Sequence, residues 1–246
     1  MRVSEFFERF ILTRKCPACA KLLSYDERTE AFCPECRLRW DVLKTRECKH
    51  CGRAMCECIC MTKTLSDSGA LCHHKLVAYS LSEGVVHNTV MFLKQNENER
   101  ITSFLARQMH LMLLADKELP RIDSSSALVS FVPRGARSVL KYGVDQSEEL
   151  AKSLSRVSGI DFARTTLRIK GGKEQKKLTA AERKKNARKL YAPCEDIEEL
   201  VSGKVVLLVD DVVTTGASMA ACVSLLIRAR ASAVICVSVA STEQNK

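Results

Sequence analysis

Val205 to Val209 are five consecutive apolar residues, rich in β-branched side chains and free of any polar interruption. That pattern predicts a strand buried on both faces of a parallel sheet. Ala127 to Val132 repeats it, and Leu76, Val77 and Tyr79, then Ala233 to Val239, predict two further strands. Between these runs the apolar residues return at helical spacing. Ile101, Phe104, Leu105, Met109 and Met112 mark one helix; Leu150, Leu154 and Val157 mark a second, opened by the capping-box spacing of Asp145 and Glu148. Ala221, Leu225 and Ile227 mark a third. Strands alternating with helices predict repeated β-α-β units, hence an α/β fold with a mostly parallel sheet and flanking helices. Near the start, Val3, Phe6, Phe7, Phe10 and Ile11 predict a short amphipathic helix over residues 3–12.

The chemistry is concentrated where the strands end. Val205–Val209 runs into two adjacent carboxylates, Asp210 and Asp211, at the carboxyl edge where open α/β sheets bind ligands. Thr214, Thr215, Gly216, Ala217 and Ser218 follow, small and hydroxyl-rich, directly before a helix. A loop of that composition lets backbone N–H groups converge on an anion at a helix N-terminus. Carboxylates beside a phosphate cradle suit a sugar phosphate, with hydroxyls donating to the acids and the phosphate accepting from the loop. The stretch resembles the 5-phosphoribosyl-1-pyrophosphate (PRPP) motif of type I phosphoribosyltransferases. A plain strand ending in a helix-capping Asp would explain one acid, but neither the second nor the Thr-Thr-Gly. Neither G-x-x-x-x-G-K-[ST] nor G-x-G-x-x-G occurs in the chain. Ala127–Val132 ends in Pro133-Arg134-Gly135, where a glycine allows close backbone approach and a guanidinium can grip a diphosphate. A simple Pro/Gly turn would account for that stretch equally well.

Cysteine usage divides the chain. Ten of its thirteen cysteines precede residue 73, and six form three Cys-x-x-Cys pairs. Without an export signal, such pairs point to metal ahead of disulfides. Cys16, Cys19, Cys33 and Cys36 complete a four-thiolate shell for structural Zn²⁺. Cys48 and Cys51 are expected to join two of Cys56, Cys58 and Cys60 around a second ion, with one thiol in excess. Sequential pairing is expected; a cross-braced arrangement is the alternative. Cys72, His73 and His74 could add a ligand, but read better as an exposed linker. The expected division is a zinc-ribbon module over residues 1–64 and an α/β domain over 75–246, with the boundary between Met61 and Lys75. The 246 residues suffice for one full core and a smaller module. No apolar run approaches the roughly 20 residues of a membrane span. Glu5 and Glu8 break the pattern of a signal peptide, so a cytoplasmic location is expected.

The formal charge of +10 is concentrated in one place. Residues 164–190 hold eleven Lys or Arg against two Glu, a local excess of +9. Lys176, Lys177, Arg183, Lys184, Lys185 and Arg188 are the candidates for contacting a nucleic-acid backbone. A merely solvated face is the competing explanation.

Cysteine knuckles, the Pro-Arg-Gly strand end and the Asp-Asp…Thr-Thr-Gly loop, in that order, resemble the ComF family of bacterial competence-related proteins over nearly the whole chain. Tyr142-Gly143-Val144-Asp145-Gln146-Ser147 before Leu150-Ala151 is similar to the family's Arg-Gly-Phe-Asn-Gln-Ser stretch. Arg164, Gln175, Arg183 and Asn186 match a further pattern downstream. Tyr142 and Asp145 depart from the family's Arg and Asn. The resemblance implies a zinc-finger module on a type I phosphoribosyltransferase-like domain, PRPP held with Mg²⁺, and the handling of single-stranded DNA with competence proteins during natural transformation. It leaves open whether the site transfers a phosphoribosyl group or only senses one.

Overall fold

The computed structural model describes residues 14–95, 98–120, 122–135, 139–140, 143–169 and 189–242. The helix expected over 3–12, Lys141 and Tyr142, and residues 170–188 with Gln175, Asn186 and all six nucleic-acid candidates, lie outside them. In chain order come α1 (Pro34–Thr45), a 3-10 turn (Met55–Glu57), α2 (Lys63–Ser66), β1 (Cys72–Tyr79), α3 (Gly84–Gln95) and α4 (Glu99–Ala115). There follow β2 (Ala127–Phe131), α5 (Gln146–Ser158), β3 (Thr166–Arg168), β4 (Tyr191–Pro193), α6 (Ile197–Val201), β5 (Val205–Val213), α7 (Ala217–Arg228) and β6 (Ala233–Thr242).

The main sheet has the order β1-β6-β5-β2 and every pairing in it is parallel. A parallel sheet needs cover on both faces, and the alternation along β5 supplies it. Val205, Leu207 and Val209 pack with residues of α3, α4 and α5, while Val206 and Leu208 pack with α6 and α7. This is why the run Val205–Val209 is continuous rather than alternating: β5 lies between two neighbours and between two helical layers. α7 turns its Met219, Cys222, Val223 and Leu226 inward, whereas Ile227, expected on the core face, is exposed. The apolar set of α7 is wide enough that spacing alone did not fix its rotation.

The cysteine-rich module shares the core of the sheet. Cys16, Phe32, Cys33, Cys36 and Trp40 belong to one buried cluster with Leu76, Ile101 and Leu105. Phe32 stacks on Trp40 with centroids 5.4 Å apart, and Phe104 of α4 meets both rings edge-on. Asn88 of α3 donates to the Ala18 carbonyl at 2.7 Å, and the Arg100 guanidinium donates to the Glu30 carbonyl.

The segment after the module is not an exposed linker. Leu65 and Ala70 are buried in the core beneath α7, and β1 begins at Cys72. Cys72, His73 and His74 are interior strand residues, with His73 Nε2 2.8 Å from Ser238 Oγ. Burial pushes both imidazoles below the usual histidine range. Polar side chains made this stretch look solvent-facing; pairing with β6 and satisfaction by neighbours such as Ser238 bury it.

Candidate ligand site and metal centres

Asp210 and Asp211 lie within β5, which runs past the apolar segment to Val213, and they follow the last pairing with β2 at Val209. Their surroundings are supplied by another strand end, a helix end and a helix start. The Arg134 guanidinium, just beyond β2, pairs with Asp211 Oδ2, and Lys94 Nζ from the last turn of α3 lies 3.8 Å from the same oxygen. The Asp211 side chain is only 7% exposed and that of Arg134 17%, so this pair is largely withdrawn from water. Asp210 Oδ1 accepts from Ser147 Oγ at 2.9 Å and from the Asp211 N–H at 2.9 Å. Although part of Asp210 remains open to solvent, desolvation of its carboxyl and the adjacent Asp211 charge push it well above the usual carboxylate range.

Asp145 organises the opposite wall. It caps α5, its Oδ1 accepting the Ser147 N–H at 3.2 Å, and its Oδ2 accepts the Arg134 N–H at 2.7 Å. One carboxylate therefore ties the Pro-Arg-Gly turn to the helix that presents Ser147. Glu148 does not complete the expected capping box. Its carboxylate instead holds Arg164 at 2.6 Å and Lys152 at 3.2 Å. Gly135 sits against Arg168, whose Nε would lie 3.5 Å from a Cβ built there.

The loop end has a different construction. Thr214, Thr215 and Gly216 bridge β5 to α7, and Gly216 has φ +73°, a left-handed conformation that side chains resist. A Cβ at Gly216 would meet Thr62 Oγ1 at 2.7 Å and Leu65 Cγ at 3.0 Å. Thr215 Oγ1 accepts the Ala217 N–H at 3.4 Å, and Thr242 Oγ1 donates to the Thr214 carbonyl at 3.2 Å. The Ala217 and Ser218 amides open a twelve-residue helix. Such a start presents N–H groups and the positive end of the helix dipole to an anion.

Two cysteine quartets form among the described residues, Cys16, Cys19, Cys33, Cys36 and Cys48, Cys51, Cys58, Cys60, each with its sulfurs within 4.8 Å of one another. The knuckles pair sequentially, and Cys56 is the excess thiol. Burial opposes the Cys48 thiolate, yet the backbone N–H groups of His50 and Cys51 hold its thiol down at about 7. Burial and the sulfurs of Cys51 and Cys58 push Cys60 up to about 12. Four sulfurs this close cannot all ionise unaided. The donor set fits Zn²⁺, which takes four thiolates tetrahedrally. The second quartet is braced by Lys75, 5% exposed, whose Nζ donates to the Cys58 and Cys60 carbonyls at 3.1 and 2.7 Å.

Sequence reasoning missed Ser147, Lys94, Lys75 and Thr62. Lys75 had a signal, a lone cation within an otherwise buried strand. Ser147 belonged to the Gln-Ser stretch that carries part of the family resemblance, without a role attached.

Residues 138–246 match the phosphoribosyl transferase domain. The whole chain is similar to the DNA utilization protein YhgH of Escherichia coli (strain K12), 27% identical over 220 residues, 89% of this chain and 86% of that one. Together these matches are consistent with the ComF resemblance carried by the motifs. The Salmonella typhimurium protein of the same name matches this chain with the same identity and coverage. The Salmonella typhi protein is 30% identical over 143 residues, 58% of this chain and 61% of its own. The α/β part of the chain is a type I phosphoribosyltransferase domain, and a cysteine module able to bind zinc precedes it. No helix among the described residues is long and apolar enough to cross a membrane.

Proposed function

We propose that the domain binds PRPP or a related phosphoribosyl compound together with Mg²⁺. The observation that carries this is the juxtaposition at one sheet edge of two carboxylates and a left-handed Gly216 turn opening α7. The 5-phosphate accepts from the amides of Thr214–Ser218. The ribose hydroxyls donate to Asp210 and Asp211. In the free protein Arg134 neutralises Asp211, so binding exchanges partners. The ligand's diphosphate takes up Arg134 and Lys94 as its hydroxyls take up the acids. Mg²⁺ would supply charge neutralisation at the diphosphate.

Calorimetric titration with PRPP and Mg²⁺ tests the proposal. The double variant Asp210→Asn, Asp211→Asn should bind more weakly by about 1.5–3 kcal/mol, the worth of a hydrogen bond to a charged group. Equal affinity in the variant, or none in the parent, would overturn the ligand assignment. Release of pyrophosphate with candidate acceptor bases distinguishes a transferase from a sensor.

The relatives' name favours a cellular role in the handling of DNA. In support, the sequence 164–190 holds eleven Lys or Arg against two Glu, charge suited to a phosphate backbone. Arg164 is already engaged by Glu148, so the contact falls to the later residues of the stretch. Oligonucleotide affinity should fall with log salt by about 0.7 per phosphate contact for single strands. Lys184→Glu with Lys185→Glu should reduce that slope; an unchanged slope would remove this segment from the proposal.

A further inference from the structure

Thr62 belongs to neither a metal quartet nor the ligand loop, yet it contacts the loop and follows Cys60 of the second quartet by two residues. It is 8% exposed and caps α2, its Oγ1 accepting the Leu65 N–H at 3.2 Å. The same hydroxyl donates to the Thr215 carbonyl at 3.3 Å. One oxygen thus fixes the start of α2 and the middle of the phosphate loop, using its donor and acceptor capacity at once. Next to it, the absent side chain of Gly216 leaves the space that Thr62 Oγ1 and Leu65 Cγ fill. The peptide between Thr215 and Gly216 is therefore held against the segment 62–65 by a hydrogen bond and by close packing.

The other end of this segment is equally fixed. Cys58 and Cys60 belong to the second quartet, and their carbonyls accept the buried Lys75 Nζ. Only Met61 separates Cys60 from Thr62. Residues 58–65 form a strut with a four-thiolate centre at one end and the anion loop at the other. The first quartet has a different attachment, through Asn88 and Arg100 to α3 and α4.

We infer that Thr62 is a positioning residue for the phosphate loop, and that metal held by Cys48, Cys51, Cys58 and Cys60 sets the loop's geometry through it. The assignment of PRPP to the loop rests on the function proposed above; the mechanical coupling rests on the contacts alone. Metal at the second quartet fixes the Cys58 and Cys60 backbone, which fixes Thr62, which orients the Thr215–Gly216 peptide. Coupling of this kind is reciprocal in binding free energy. An anion on the loop tightens metal at the second quartet and leaves the first unchanged.

The test uses the full zinc-loaded chain. Hydrogen exchange over residues 213–219 is compared in the parent, Thr62→Val, which keeps the shape and loses the hydroxyl, and Thr62→Ser, which keeps the hydroxyl. Thr62→Val should speed exchange in that loop about tenfold, within the usual range of coupling between sites. Thr62→Ser should restore it, and Val205–Val209 should remain protected in both. Cys60→Ser should loosen the same loop, with Cys51→Ser as the second variant should Cys60→Ser unfold. Mg-PRPP affinity should fall about tenfold in Thr62→Val, by the same coupling. Unchanged loop exchange in Thr62→Val, or equal loosening of loop and strand, overturns the role of Thr62. Unchanged exchange in both cysteine variants overturns the link to metal. If the parent fails to bind Mg-PRPP, the ligand assignment falls while the exchange data still decide the coupling.

Discussion

The two ends of the ligand crevice solve the same problem in opposite ways. At the acid end, charge is met by charge: Arg134 and Lys94 face Asp211, while Ser147 and a backbone N–H face Asp210. At the loop end, the chain is shaped by a left-handed glycine and by outside packing from Thr62 and Leu65. The difference follows from electrostatics. A desolvated carboxylate without a partner is expensive, so the acid end must be occupied by the protein's own groups until a ligand replaces them. Helix-start N–H groups carry only partial charge and need correct orientation more than a resident partner. On the proposed binding mode, the acid end is held by a pair that ligand would exchange, and the loop end by a scaffold that ligand would leave in place.

The largest break in this comparison is expected at Asp211. Asp211→Asn leaves Arg134 and Lys94 converging on a neutral group, and removal of one member of a buried ion pair costs about 3 kcal/mol at the lower end of the range. The partial exposure of Arg134 favours that lower end. Urea unfolding of the zinc-loaded protein measures it. A loss under about 1 kcal/mol would mean that the pair behaves as a surface salt bridge and that the acid end is not charge-locked.

Gly216→Ala probes the other end with a smaller effect. The left-handed conformation costs a side-chain-bearing residue about 1–2 kcal/mol, and the added methyl would also press on Thr62 and Leu65. A stability loss of about 2 kcal/mol is expected, accompanied by loss of Mg-PRPP binding in calorimetry. Intact binding with reduced stability would show that the loop geometry is not what the ligand requires.

The contrast also marks what could be read from residues in order. Val205–Val209, the acids after it and the small hydroxyl-rich loop are local patterns, and the structure places them at one edge as the pattern implies. Knuckle spacing likewise led to two four-cysteine groups. The partners of these features were not legible, because they come from remote points in the chain. Thr62 meets Thr215 across 153 positions and Arg134 meets Asp211 across 77. No periodicity records such a contact. The choice of Cys58 and Cys60 over Cys56 depends on how the 3-10 turn at Met55–Glu57 aims its sulfur, which spacing leaves undetermined. Cys72-His73-His74 misled for a related reason, since polarity says how a side chain prefers to be solvated and β1 pairing overrides that preference.

The smallest expected effect distinguishes the two acids from each other. Asp210 accepts two hydrogen bonds but has no cation of its own, and its carboxyl lies well above the usual range through desolvation and the neighbouring Asp211. An acid whose folded pKa is raised binds more protons in the folded than in the unfolded chain. Stability then falls as pH rises above the unfolded value, about 4, and continues to fall until the folded value is passed. Asp210 therefore opposes folding at neutral pH. A tenfold difference in proton affinity between the folded and unfolded chain is worth about 1.4 kcal/mol, discounted here because part of the residue remains open to solvent. Asp210→Asn keeps an oxygen that accepts from Ser147 and the Asp211 N–H and removes the ionisation. It should raise stability at pH 8 by on the order of 1 kcal/mol while weakening Mg-PRPP, the reverse of the stability effect at Asp211. The gain should shrink as pH is lowered from the raised folded value toward the unfolded value of about 4, as fewer Asp210 carboxyls need to be neutralised on folding. Thermal melts of parent and variant across that interval check it, because both carry the same cysteines and acid-driven metal loss cancels in the difference. A gain independent of pH would place its origin outside the ionisation of Asp210, and the acid end would then be two ordinary carboxylates sharing one arginine.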